Sequence, residues 1–207
     1  FWCIAMARSG KAIEAYQEAP DGAGSFATIA EALMDARDGA MLERLCAAHR
    51  KAHADDAELP YWESQAAALR GDHATAVARL APHVVRYLAD ERMAAVVEGR
   101  WIRSLVGAKR FDEALAAAKA STARDEDPWY EAVVCAGRGD PDATRAVLRR
   151  IVETGAELTA LCAACHADDI VGPALRSPAF AKLLTEFPAP GADPPPAPSA
   201  PGGGQAR

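Results

Sequence analysis

The sequence predicts an all-α fold in which antiparallel helix pairs stack in series as an α-solenoid. Three observations carry that prediction. Half of the 207 residues are hydrophobic, much of that half is alanine, and only 6% are aromatic. Such a composition suits helices packed closely on helices, where small side chains let backbones approach. Next, "PYWESQAAALRGD" (Pro60 to Asp72) is matched by "PWYEAVVCAGRGD" (Pro128 to Asp140). Both run from proline through two aromatics and a glutamate to Arg-Gly-Asp, 68 residues apart or twice 34. Lastly, a period in that range marks an architecture of stacked repeats.

Taken in order, each part of the unit has a physical role. Pro60 and Pro128 suit the first turn of a helix, where a missing N–H costs nothing. Gly71 and Gly139 supply the turn that ends it, and Asp72 and Asp140 can cap the helix that follows. Ala76, Val77 and Leu80, and in the other copy Val147, Leu148 and Ile151, then recur at helical spacing. Two looser copies share this layout. One is Ser25 to His53, with its turn at Asp38-Gly39. The other is Glu91 to Ala120, in which "KRFDEALAAA" opens the second helix. Turns at Asp38, Gly71, Lys109 and Gly139 step by 33, 38 and 30 residues.

With those residues in view, the chain resembles tetratricopeptide repeat (TPR) proteins. That family's helix pair has Gly-Asp or similar in the turn, an aromatic after it and an alanine three further on. Phe111 and Ala114 stand at those places. His73 occupies the aromatic site of a second copy, and Pro141 and Thr144 depart from the pattern in another. The family's tryptophan-leucine-glycine signature is absent. The clearest repeats cover 25–155. A unit over 156–187, with Leu175, Pro178, Phe180, Leu183 and Leu184, resembles the endings of bacterial TPR arrays, where a terminal helix covers the last open apolar face. The helical domain thus spans 1–187. Residues 188–207, rich in Pro, Ala and Gly, cannot bury a core and read as a disordered tail.

The resemblance implies a non-catalytic module that binds a protein or peptide in the concave groove lined by the first helix of each pair. The groove candidates are Tyr61 and Gln65, Arg100 and Arg103, and Trp129 and Val133. Tyr, Trp and Arg often dominate interface energies. Against this, Trp62, Trp101 and Trp129 also suit plain space-filling, and Val97, Trp101 and Leu105 form a core-facing stripe. The chain begins at Phe1 and reads as part of a larger bacterial polypeptide. An alternative is therefore the C-terminal regulatory region of an enzyme, such as a protein kinase, whose catalytic domain lies upstream.

The other signals are chemical. "LCAACHA" places Cys162, Cys165 and His166 in the C-x-x-C-H spacing of c-type haem attachment. No methionine follows Met93 and no histidine follows His166, so a second axial ligand would have to come from upstream. The competing reading is one short helix with Leu158, Leu161, Cys162 and Cys165 on a core-facing stripe; a zinc or redox role is a further alternative. Cys46, His49 and His53 share a helical face at a spacing that can chelate zinc, and equally can lie along the core edge. No cofactor is expected. Five scattered cysteines suggest buried thiols in a cytoplasmic setting. A net charge of −6 with no basic stripe argues against nucleic acid, and no long apolar run points to a membrane. Ser9-Gly10-Lys11 lacks the upstream glycine of a phosphate loop.

Overall fold

Among the described residues, five helix junctions share one kind of turn, and a sixth at Gly155 (φ 104°) repeats its closing bond from Ala156 to Ile151. One residue takes the left-handed conformation: Gly10, Arg37, Gly71, Lys109 or Gly139, with φ of 80°, 56°, 78°, 59° and 80°. The N–H of the next residue then reaches back five positions, from Lys11 to Met6, Asp38 to Leu33, Asp72 to Ala67, Arg110 to Leu105 and Asp140 to Cys135. This bond satisfies a carbonyl that the ending helix leaves open. Asp38, Asp72 and Asp140 cap the following helix by accepting from the backbone N–H of Met41, Thr75 and Ala143. Arg110 holds the equivalent place in the fourth turn and pairs with Glu113 through two bonds of 2.7 and 2.6 Å.

The computed structural model describes residues 1–19, 22–125 and 128–188. Among them there is no strand, so the chain is all-α. Its helices are α1 (Trp2–Arg8), α2 (Ala12–Glu18), α3 (Gly22–Asp35), α4 (Gly39–Ala52), α5 (Leu59–Leu69), α6 (His73–Leu80) and α7 (Val84–Leu88). They continue with α8 (Glu91–Gly107), α9 (Phe111–Asp125), α10 (Trp129–Arg138), α11 (Pro141–Glu153), α12 (Leu158–Ala167), α13 (Val171–Leu175) and α14 (Ala181–Glu186). A 3-10 turn at Pro178–Phe180 precedes the last. Two compact units result, residues 1–130 and the chain from Glu131 onward. All but the first residue of the expected tail, Pro188, lies outside the described residues.

Burial repeats with the turns. The fifth residue after each of these five left-handed positions, namely Ala15, Leu42, Ala76, Ala114 or Thr144, is 0% exposed; the one after Gly155, Ala160, is exposed. In the preceding helix, the seventh residue before it is equally buried in four copies: Ala30, Ser64, Ile102 and Ala132. Small residues dominate because two helices approach closely at these points. In the first unit α3 packs on α4, α4 on α5, α5 on α6, α6 on α8 and α8 on α9. First helices also meet directly, α3 with α5 and α5 with α8.

The long step of 38 residues has a local cause. Pro82 follows two residues after α6 and cannot continue it, and the short α7 is inserted before α8. Both Arg86 and Tyr87 of α7 donate to the Ala57 carbonyl, at 2.7 and 2.6 Å, which pins the insert to the loop before α5.

Helix pairing begins earlier than the clear repeats at 25–155 suggested. The Ser9-Gly10-Lys11 segment is the turn between α1 and α2, and Ala12 and Ala15 are fully buried. At the other end Leu175, Phe180 and Leu183 are buried together with Val171 and Phe187, while Leu184 is half-buried and Pro178 starts the 3-10 turn. Arg145 and Arg149 of α11 pair with Glu186 of α14 at 3.0 and 2.8 Å.

Candidate functional site: a basic depression on the first helices

One face of α8 carries Val96, Gly99, Arg100 and Arg103, while Val97, Ile102 and Leu105 on other sides of the helix are buried. Together with Tyr61 of α5 and Tyr130 of α10, that face encloses a depression of about 300 Å³. All its lining belongs to the first unit. The Arg100 guanidinium lies beside Tyr61 in the depression. Burial raises the Tyr61 pKa, and the Arg100 charge opposes the shift. Gly99 allows the other wall: a Cβ there would stand 2.5 Å from the Tyr130 hydroxyl oxygen and 2.9 Å from Cζ. Because that methyl is missing, the Tyr130 ring can rest against the α8 backbone. Val96 is 47% exposed and forms an apolar floor.

Charge sets this depression apart. Among the described residues two guanidinium groups line it and no carboxylate does, in a chain of net charge −6. A second depression, beside Cys46, holds Arg50, Lys51 and Arg79 but also Glu43 and Glu63. There Arg50 pairs with Glu63, and Glu43 with Arg70. A third is lined by His53, Asp55 and Asp56.

Of the six groove candidates, the structure gathers Tyr61, Arg100 and Arg103 in the basic depression. Gln65 and Val133 are buried at 2% and 0% exposure, and Trp129 is half-buried next to the lining residue Tyr130. Sequence reasoning missed Tyr130, Gly99 and Val96. The aromatic pair Trp129-Tyr130 was visible as a signal, but which of the two faces α8 depends on helix phase.

The cysteine–histidine motif lies on α12, with Leu161, Cys162 and Cys165 buried and Leu158 exposed. Burial pushes the Cys165 thiol up to about 12 and raises that of Cys162. His166 Nε2 lies 3.1 Å from the Phe187 carbonyl, tying α12 to the end of α14. Among the described residues no group of three or more His, Cys, Asp or Glu is placed to hold a metal ion.

Cys46, His49 and His53 are likewise divided among different partners. Cys46 is buried, with its pKa pushed up to about 12 by desolvation. His49 is 0% exposed, and both its nitrogens are engaged: Nδ1 with the Tyr16 hydroxyl at 2.9 Å and Nε2 with Asp56 at 2.8 Å. Its ring stacks on Phe26 at 3.8 Å and on His53 at 4.7 Å. Tyr16 lies 33 residues upstream, so no local spacing announces this link.

Comparison with known proteins returns no matching family model, curated protein or solved structure. Among the described residues, no helix is long and apolar enough to cross a membrane.

Proposed function

We propose that this chain is a TPR-like repeat module, without catalytic activity of its own, that binds a peptide or partner protein through the depression lined by Tyr61, Arg100, Arg103 and Tyr130. The observation carrying this reading is the convergence of arginines and tyrosines from three successive first helices at one exposed concavity. These side chain types favour interface hot spots, since a guanidinium and a phenol offer both apolar area and directed donors. Direct packing of first helix on first helix supports a serial stack, with the five equivalent turns as further support. In such a stack the first helices line one continuous surface.

Site-specific photo-crosslinking tests the reading. Tyr130→benzoylphenylalanine places a crosslinker in the depression, and Lys51→benzoylphenylalanine places one beside Cys46 as a control. Discrete crosslinked partners are expected from the first position, lost when Arg100→Glu and Arg103→Glu are added. Identical products from both positions, or products indifferent to the arginine changes, would overturn the proposal.

A further inference from the structure

We propose that Cys162 and Cys165 are a reversible dithiol–disulfide switch that loosens the closing helices α13 and α14. The two residues stand one helical turn apart on α12 and both face the interior, at 5% and 0% exposure. Charge on one thiol bears on the other, so the two sulfurs are neighbours. In a regular helix, Cα atoms three residues apart lie about 5 Å from each other, inside the range a disulfide spans. Their Cβ atoms are about 5–6 Å apart, whereas a disulfide needs about 3.5–4.5 Å. Closing the bond therefore tightens this turn of α12 by about 1 Å or more.

The surroundings leave no slack for that movement. Gly172 of α13 lies so close to the end of α12 that a Cβ on it would stand 2.7 Å from the His166 carbonyl oxygen. His166 also ties α12 to the end of α14, its Nε2 lying 3.1 Å from the Phe187 carbonyl. Both links start from the residue directly after Cys165, so a tightened turn displaces them together. A disulfide closed in this way is strained, and strained disulfides are readily reduced again.

The reaction balances with a small-molecule disulfide as oxidant. Cys162, the less buried thiol, loses its proton and attacks one sulfur of glutathione disulfide, releasing one glutathione thiol. Cys165 then gives up its proton and displaces the second glutathione from Cys162, which forms the Cys162–Cys165 bond. Two protein thiols are oxidised while one disulfide is reduced to two thiols. Because burial raises both protein thiols, the exchange is slow at neutral pH and quickens as pH rises.

Incubation of the full chain with glutathione disulfide at pH 8, carried to equilibrium, tests this by peptide mapping and amide hydrogen exchange. An internal Cys162–Cys165 link is expected, with the loss of two hydrogens, and dithiothreitol should reverse it. The amides of Gly172 and Phe187 donate to the carbonyls of Asp168 and Leu183. Their exchange should quicken by roughly tenfold or more in the linked form. Cys165→Ser should stop at a glutathione adduct on Cys162, and Cys162→Ser should leave Cys165 a free thiol. Adducts confined to Cys3 and Cys135, with Cys162 and Cys165 both left as thiols, would overturn the switch. A link that leaves exchange at Gly172 and Phe187 unchanged would overturn its effect on α13 and α14.

Discussion

Replacing His49 with alanine should destabilise the first unit by about 4 kcal/mol, and the figure can be built from its surroundings. Truncating a fully buried aromatic ring costs about 3–5 kcal/mol in transfer and cavity terms. Imidazole is smaller and more polar than benzene, which puts the packing part near 2–3 kcal/mol. The Tyr16 hydroxyl, on a residue 8% exposed, loses its partner and adds about 1–2 kcal/mol. Asp56 is 27% exposed, so water replaces the lost bond and little is added. His49→Phe keeps a ring stacked on Phe26 and should cost only the polar part, about 1–2 kcal/mol. Urea unfolding can be followed by Trp62, which sits edge-on to Phe26 at 6.1 Å, in a chain with Trp2, Trp101 and Trp129 changed to Phe. With a slope near 2 kcal/mol per molar, His49→Ala lowers the midpoint by about 2 M and His49→Phe by about 0.5–1 M. Tyr16→Phe combined with His49→Phe should cost less than the two changes added together. Equal shifts for alanine and phenylalanine, or strict additivity of the pair, would refute the argument that packing and a shared hydrogen bond contribute separately.

Other expectations are simpler. Lys109→Gly relieves left-handed strain at a position where other turns carry glycine, and should raise stability by roughly 0.5–1 kcal/mol in thermal melts. Gly71→Ala should lower it. Gly99→Ala should expel the Tyr130 ring, altering ligand-induced shifts in the depression while thermal stability stays within about 1 kcal/mol, since alanine favours the helix. The Cys46 thiol ordinarily titrates near 9.0 and is held near 12 in the fold, so the stability it contributes is complete below pH 9.0 and is lost as pH climbs toward 12. Alkaline unfolding of the first unit should therefore move to higher pH in Cys46→Ala once its neutral-pH stability is matched by mild denaturant. At pH 8, a thiol reagent should label half-buried Cys3 and Cys135 before Cys46 or Cys165.

Local rules were the legible part of this chain. Gly71-Asp72 and Gly139-Asp140 announced both a turn and a cap, because glycine relieves the left-handed φ and aspartate reaches the third N–H of the helix. Lys109 was placed in a turn through its neighbours, although a left-handed lysine gives no signal of its own. The α1–α2 pair went unread because Ser9-Gly10-Lys11 invites comparison with phosphate loops rather than with Gly71-Asp72. Leu158 was expected on a buried stripe; it lies in the first turn of α12 and is 46% exposed. The candidate site was half visible. Arginine spacing on α8 placed Arg100 and Arg103 on one face, but Gln65 and Val133 are buried, because the helix on either side of each first helix decides which of its residues reach solvent. Contacts such as Tyr16 with His49 depend on tertiary packing, which local pattern does not encode.

Since five junctions share one backbone closure, a segment cut between two left-handed residues begins and ends in the same geometry. Duplication or deletion of the 34 residues from Asp38 through Gly71 would join one left-handed turn to another and keep the same backbone closure.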